Sequence, residues 1–214
     1  MTDYKKEVAQ ALLDIQAVKL QPNEPFTWAS GLKSPIYTDN RKTISFPKVR
    51  RLIASGLADL IREKYPDATV IGGVATAGIP HAALVAEMLD LPMIYVRSKP
   101  KDHGAGKQIE GALKPEDKVV LIDDLISTGG SVLGAVDAVR REGSTVLGVL
   151  AIFSYELPDA DKNFAAANTP FESLTNYSAL LEVEKAAGAM SEAELKALAD
   201  WRLDPKQWSQ QHQA

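Results

Sequence analysis

Residues 119–131 read Val-Val-Leu-Ile-Asp-Asp-Leu-Ile-Ser-Thr-Gly-Gly-Ser and bring carboxylates, hydroxyls and glycines together in a short span. Val119 to Ile122 form a continuous apolar run, the pattern of a strand buried on both faces of a parallel sheet. Asp123 and Asp124 stand where that strand should end, and Ser127, Thr128, Gly129, Gly130 and Ser131 make a small hydroxyl-rich turn. The periodic apolar segment Val132 to Val139 follows as a helix. Glycines let a backbone approach a phosphate, the first N–H groups of a helix point at it, and hydroxyls at 127, 128 and 131 add donors. Ligands of open α/β sheets bind outside the carboxyl ends of the strands. Carboxylates repel phosphate, so the acid pair suits ribose hydroxyls or a metal-bound shell while the turn holds the phosphate. The plain alternative is a strand end with two solvated acids and an ordinary helix cap. The union of apolar strand, acid pair and Ser-Thr-Gly-Gly-Ser favours a phosphate cradle. Neither Gly-x-x-x-x-Gly-Lys-[Ser/Thr] nor Gly-x-Gly-x-x-Gly occurs, which excludes the two better-known cradles.

A second chemical segment precedes the first. Arg97, Lys99, Lys101, His103 and Lys107 gather positive potential in an otherwise acidic chain, with Gly104, Gly106 and Gly111 interspersed. Neighbouring lysines repel, so concentrating them on a loop makes sense if an anion such as pyrophosphate completes the site. Closure over it would exclude water from a reactive intermediate. Most charge runs are solvated loops, but this one leads directly into the cradle strand. Other conspicuous residues read as structural. His81 starts a helix among Ala and Leu, Trp28, Trp201 and Trp208 read as packing or tail residues, and Asp39 and Arg41 suit a mutual pair. No His/Asp/Glu set has zinc spacing.

The elements that must position these groups follow from periodicity. Residues 3–20, with Val8, Leu12, Leu13 and Ile15 at helical spacing, are predicted as an amphipathic helix ended by Pro22 and Pro25. Residues 26–41 are predicted as short extended pieces around a Ser30–Gly31 turn. A helix runs from Pro47 to about Tyr65, then come a strand at Thr69–Gly73, a helix carrying Ala83 to Met88, and a strand at Met93–Arg97. The cradle strand and its helix, ending near Gly143, lead to a strand at Val146–Phe153. This alternation predicts an α/β fold with a mostly parallel sheet flanked by helices. Residues 154–170 read as a polar connection, 176–187 and 191–202 as helices, and 204–214 as a polar, frayed end. Ser191 with Glu194 fits a capping box.

Composition narrows the function classes. A 214-residue chain with 45% hydrophobic residues suits one α/β domain with some appended structure. A net charge of −4 offers no general attraction to nucleic acid, and the absence of cysteine rules out disulfides and thiolate metal sites. The N-terminus, with Asp3, Lys5, Lys6, Glu7 and Asp14, is neither signal peptide nor anchor, and no apolar run approaches the ~20 residues of a membrane span. A cytoplasmic protein without nucleic-acid or membrane partners is expected.

The segment around Asp123 and Asp124 resembles the phosphoribosyl pyrophosphate (PRPP) signature of type I phosphoribosyltransferases. The loop Arg97-Ser-Lys-Pro-Lys-Asp-His-Gly104 and the stretch Ser30-Gly-Leu-Lys-Ser-Pro-Ile-Tyr-Thr-Asp-Asn-Arg41 are similar to those of the orotate phosphoribosyltransferase family. The three matches occur in the right order, and the resemblance covers roughly residues 5 to 155. The resemblance implies a type I phosphoribosyltransferase fold over 1–214: helix and hood in 1–45, core in 46–155 with a catalytic loop at 97–111, and a helical region in 156–214 that could add to the hood. It implies transfer of the phosphoribosyl group from PRPP to orotate, yielding orotidine 5′-monophosphate and pyrophosphate, in pyrimidine biosynthesis. Arg97, Lys101 and His103 would meet the pyrophosphate, Asp123 and Asp124 the ribose, and 127 to 131 the 5-phosphate, with Leu125 and Ile126 part of the same PRPP-binding run. Ser127, Lys33, Ser34, Pro35, Ile36 and Tyr37 would lie against orotate. Mg²⁺ would bind through PRPP, with Asp123 or Asp124 as its candidate protein ligand. The family's loop reaches the neighbouring subunit, which implies a homodimer. Ala29, Ser98, Thr76-Ala77 and Tyr155 depart from residues some members carry, leaving Lys33 and backbone N–H groups as candidates for the orotate carboxylate. A purine-type transferase shares the cradle but not the Ser-Gly-x-Lys-Ser-Pro stretch. A PRPP-sensing regulatory protein would call for a basic face or an added DNA-binding element.

Overall fold

The structure is a computed structural model, and it describes residues 3–28, 31–99 and 108–212. Its centre is a six-stranded sheet in the order β10-β9-β8-β5-β6-β7. The strands are β5 (Val70–Val74), β6 (Met93–Val96), β7 (Ile109–Glu110), β8 (Lys118–Ile126), β9 (Thr145–Ser154) and β10 (Phe171–Asn176). All neighbours run parallel except β7, which returns antiparallel along β6. Each parallel pair is bridged by a crossover long enough for a helix, as parallel pairing demands. Val119, Val120, Leu121 and Ile122 are completely buried, because helices cover both faces.

Two apolar cores lie on opposite sides of the sheet. One holds Val120, Ile122, Leu150 and Ile152 with α1 (Tyr4–Asp14), α2 (Pro47–Lys64) and α3 (Gly78–Leu89). The other holds Val119, Leu121, Val149 and Ala151 with α4 (Gly130–Arg141) and α5 (Pro158–Ala166). The alternation of side chains along each strand sends successive residues into different cores.

The opening helix is shorter than its periodicity predicts. It stops at Asp14; Gln16 takes a left-handed φ of 54°, and Val18–Leu20 become a strand, β1. β1 pairs antiparallel with β4 (Ile36–Thr38), a tertiary partner that local periodicity cannot register. The predicted extended pieces form as β2 (Phe26–Thr27) and β3 (Lys33–Ser34), paired antiparallel across Gly31 at φ +84°. A 3₁₀ turn over Asn40–Ser45 then leads into α2.

The C-terminal third differs most from expectation. The predicted polar connection contains α5, with Pro158 at its first position, and β10 adds a sixth strand on β9. Helices α6 (Tyr177–Ala187) and α7 (Glu192–Leu203) lie where expected, and Ser191 and Glu194 form the capping box reciprocally. The predicted frayed end is instead helix α8 (Pro205–Gln211), which buries Trp208 and Ser209. Its apolar anchors are too sparse for a periodicity reading. No helix among the described residues is long and apolar enough to cross a membrane.

Candidate active site

The cradle strand runs further than its apolar run suggests. β8 continues through Asp123 and Asp124 to Ile126, held on one side by β9 through the pairs Asp123↔Ala151, Leu125↔Phe153 and Ile126↔Ser154. On the other side the β5 register stops at Gly73↔Ile122. The acids therefore lie within the strand, on the stretch that extends beyond its β5 neighbour. Gly78, at the start of α3, lies against this point: a Cβ there would be 2.2 Å from the Ile122 carbonyl oxygen. Only glycine permits that approach.

Asp123 is 9% exposed, and its Oδ1 accepts the Asp124 N–H at 2.9 Å. Burial raises the pKa of both carboxyls above the ordinary range, and Asp124 pushes Asp123 up further. Arg41 pulls Asp124 back down, although its guanidinium is occupied at 2.7 Å by Asp39, the pair expected from the sequence.

After Ile126 the chain turns at Ser127, Thr128 and Gly129. Gly129 adopts a φ of +83° as the N-cap of α4. A Cβ at Gly129 would approach Cε2 of Phe164 to 2.5 Å, and Asn163 Nδ2 donates to the Thr128 carbonyl at 2.9 Å. Helix α5, which sequence reasoning missed, thus buttresses the turn from beneath. Thr128, Gly130 and Ser131 are exposed, Ser127 is half-buried, and a Cβ on Gly130 would meet nothing within 4 Å. Open space therefore lies beside Gly130 at the N-terminus of a twelve-residue helix, an end whose free N–H groups suit an oxyanion. Leu125 is half-buried against the first core and Ile126 is fully buried in the second, so Ile126 presents no side chain to a ligand.

Arg97 and Gln108 clamp the two stems of the basic segment. The Arg97 N–H donates to the Gln108 carbonyl at 2.9 Å, and Gln108 Nε2 donates to the Arg97 carbonyl at 2.8 Å. Among the described residues, no hydrogen-bond partner meets the buried Arg97 Nη1. Lys101 and His103, with Lys107, lie outside the described residues.

The hood residues separate into two groups. Ser34, Pro35 and Ile36 are buried, and Ser34 Oγ donates to the Ile36 carbonyl at 3.0 Å. They shape the segment from inside. Lys33 is half-buried and Tyr37 is exposed, its ring 5.7 Å from Phe26. Trp28 packs against Tyr155 and Trp201 at 5.6 and 5.8 Å and donates from Nε1 to the Ile36 carbonyl. The Tyr155 phenol is pushed up to about 12 by burial, so it stays neutral at working pH.

Sequence reasoning also missed a polar chain behind the acids. Asn40 Nδ2 donates to the Asp124 carbonyl at 2.8 Å, and Thr43 Oγ1 donates to the Asn40 carbonyl at 2.6 Å. Thr43 Oγ1 also lies 3.2 Å from His81 Nε2. With its proton engaged, the hydroxyl can only accept from His81, which assigns the Nε2–H tautomer. His81 is the packed histidine its apolar context suggests, 1% exposed, with burial lowering its pKa to about 4. Asn40 could not be singled out beforehand, since nothing local marks it.

The described residues contain no cluster of three or more His, Cys, Asp or Glu that could hold a metal. The donors available are two hard carboxylates, which fits a divalent cation held mainly by ligand oxygens and water.

A sheet-end acid pair thus stands in the same strand–turn–helix unit as the N-terminus of α4, and Arg97 pairs with Gln108 where the basic segment leaves and rejoins the described chain. Residues 42–166 match the family described as phosphoribosyl transferase domain. The orotate phosphoribosyltransferase of Lactiplantibacillus plantarum is 60% identical over 208 residues, 97% of this chain and 98% of that protein. That of Levilactobacillus brevis is 61% identical over 203 residues, 95% and 97% of the two chains. The crystal structure of orotate phosphoribosyltransferase from Aeropyrum pernix superposes with a TM-score of 0.72 at 27% identity, covering 86% of this chain and 99% of that one. The chain belongs to the orotate phosphoribosyltransferase family of phosphoribosyltransferases.

Proposed function

We propose that this protein transfers the 5-phosphoribosyl group of PRPP to orotate, forming orotidine 5′-monophosphate and releasing pyrophosphate. The observation that carries the reading is the buried acid pair on β8 followed by the Gly129 turn and the open N-terminus of α4. Its place in a chain so similar to orotate phosphoribosyltransferases supports the base assignment.

In this reading Asp123 and Asp124 accept hydrogen bonds from the ribose hydroxyls. The 5-phosphate sits on the first N–H groups of α4 with the hydroxyls of Ser127, Thr128 and Ser131. As the bond from the anomeric carbon to pyrophosphate breaks, positive charge grows on the ribosyl ring and negative charge on the leaving group. The ring nitrogen of orotate gives up its proton to solvent and forms the new bond to that carbon as the bond to pyrophosphate breaks. Buried carboxylates close to the ring stabilise the first charge, while Arg97, Lys101 and His103 would stabilise the second. His103 would supply a proton to the departing pyrophosphate. Bound Mg²⁺ would neutralise pyrophosphate and ribose oxygens, with Asp123 or Asp124 as its candidate protein ligand. Of the hood residues 33–37 expected over the base, Lys33 and Tyr37 are the ones left accessible, with Ser127 at the cradle side. The loop completes a partner's site in a homodimer, and the protein works in the cytoplasm.

Loss of orotate absorbance on adding PRPP and Mg²⁺ tests the reading, with hypoxanthine, adenine and uracil run in parallel. Turnover of orotate alone is expected. Consumption of another base in its place would overturn the base assignment, and silence with every base would overturn the activity.

A further inference from the structure

The acids sit on backbone that has outrun one of its neighbours. Beyond the Gly73↔Ile122 pair, β5 no longer flanks β8, yet the Asp124 carbonyl is not left to solvent. It accepts from Asn40 Nδ2 at 2.8 Å, and Asn40 is 1% exposed. Asn40 follows the hood strand β4 with only Asp39 between, at the start of the 3₁₀ turn Asn40–Ser45. Thr43 donates to its carbonyl at 2.6 Å, and His81 on α3 lies 3.2 Å from that hydroxyl. The hydrogen bonds run in one direction from His81 to the Asn40 carbonyl, and the Asn40 amide then continues to β8. The two consecutive bonds from His81 through Thr43 to the Asn40 carbonyl polarise and strengthen one another.

We propose that Asn40 is a positioning residue for the reaction: its amide takes the place of the missing strand and holds the Asp124 backbone, and with it the carboxylate pair, in register for the ribose. The inference rests on the reading of the acid pair as the ribose-binding group. Asn40 touches no reacting atom; it acts through Asp124. Because it is continuous with the hood strand, it also ties the base-side segment to the sugar-side strand.

The test compares Asn40→Ala and Asn40→Leu with wild type and with Asp124→Asn. Leucine has nearly the shape of asparagine and no donor, so that variant remains informative where the alanine variant leaves a cavity and folds poorly. PRPP binding is measured by calorimetry with Mg²⁺ and no orotate, and steady-state kinetics give kcat and both KM values. Removing this buried hydrogen bond should weaken PRPP binding and lower kcat by about tenfold each, with the orotate KM changed by less than about twofold. A merely structural role would move both substrates together, alongside Tm, and that pattern overturns the proposal. Unchanged PRPP binding in both Asn40 variants, with binding lost in Asp124→Asn, overturns the proposal alone. Failure of wild type to bind PRPP, or wild-type binding by Asp124→Asn, overturns the reading of the acid pair and the proposal with it.

Discussion

Asp123 and Asp124 place two adjacent carboxyls where burial penalises ionisation of both. A folded-state pKa raised above the unfolded value means that the fold holds protons the unfolded chain releases. Stability therefore falls as pH rises from the ordinary carboxylate range toward the raised value, and the cost is fully present once both groups are ionised. Asp123→Asn removes it while keeping an oxygen for the Asp124 N–H. We expect Tm at pH 8 to rise by roughly 2–4 °C for each kcal/mol recovered, while turnover is lost. A lower Tm in that variant would show that the ionised pair stabilises the fold. His81 has the opposite sign of shift. Its folded pKa of about 4 lies below the ordinary 6.5, so the unfolded chain binds the proton first. The resulting penalty begins below about pH 6.5 and is complete below about pH 4, amounting to about 3 kcal/mol. His81→Gln keeps a donor for Thr43 without titrating. Urea denaturation at pH 7.5 and pH 5 should show a smaller acid loss in the variant than in wild type, and equal losses would rule out His81 as the source.

Elements missed by periodicity turn out to support the site. Phe164 of α5 lies under Gly129 and stacks on Phe171 of β10 at 4.2 Å. Helix α8 reaches the hood: Ser209 Oγ accepts the Lys33 N–H at 2.8 Å, and Ser209 is fully buried. Helix α7 contributes Trp201, which packs on Trp28 and Tyr155, and Asn23 donates to Glu194 at 2.9 Å. The hood strands are two or three residues long, and strands so short need external packing to hold a shape. Truncation after Leu203 should therefore raise the orotate KM several-fold while PRPP binding stays near wild type, because the cradle turn is buttressed by α5 rather than α8. Kinetics with each substrate varied in turn would show it, and an unchanged orotate KM would mean that α8 is dispensable to the hood.

At the scale of the molecule, the proposed homodimer has a direct test. If each loop serves the partner's cradle, Lys101→Ala and Asp124→Asn damage different chains of one site. Mixing the two inactive variants and allowing exchange creates heterodimers with one intact site of two. Recovery toward about a quarter of wild-type activity is expected for random reassortment. Activity that stays at the level of the separate variants would place each loop over its own cradle.

What could be read from residue order alone was whatever depends on near neighbours. The α/β alternation, the buried cradle strand, the Gly129 turn, the Ser191–Glu194 capping box and the Asp39–Arg41 pair are all local in this sense. The acid pair at the end of the apolar run stood out for the same reason, since its chemistry is written in consecutive residues. Tertiary structure decided what depends on distant partners. Val18–Leu20 is a strand because Ile36–Thr38 lies beside it, and β8 extends past Ile122 because β9 continues with it. Polar segments 154–170 and 204–212 became helices through a few buried anchors, Phe164, Trp208 and Ser209, spread too thinly for a periodic signal. Asn40 meets Asp124 across 84 residues of sequence, and only the folded chain brings its amide to that carbonyl.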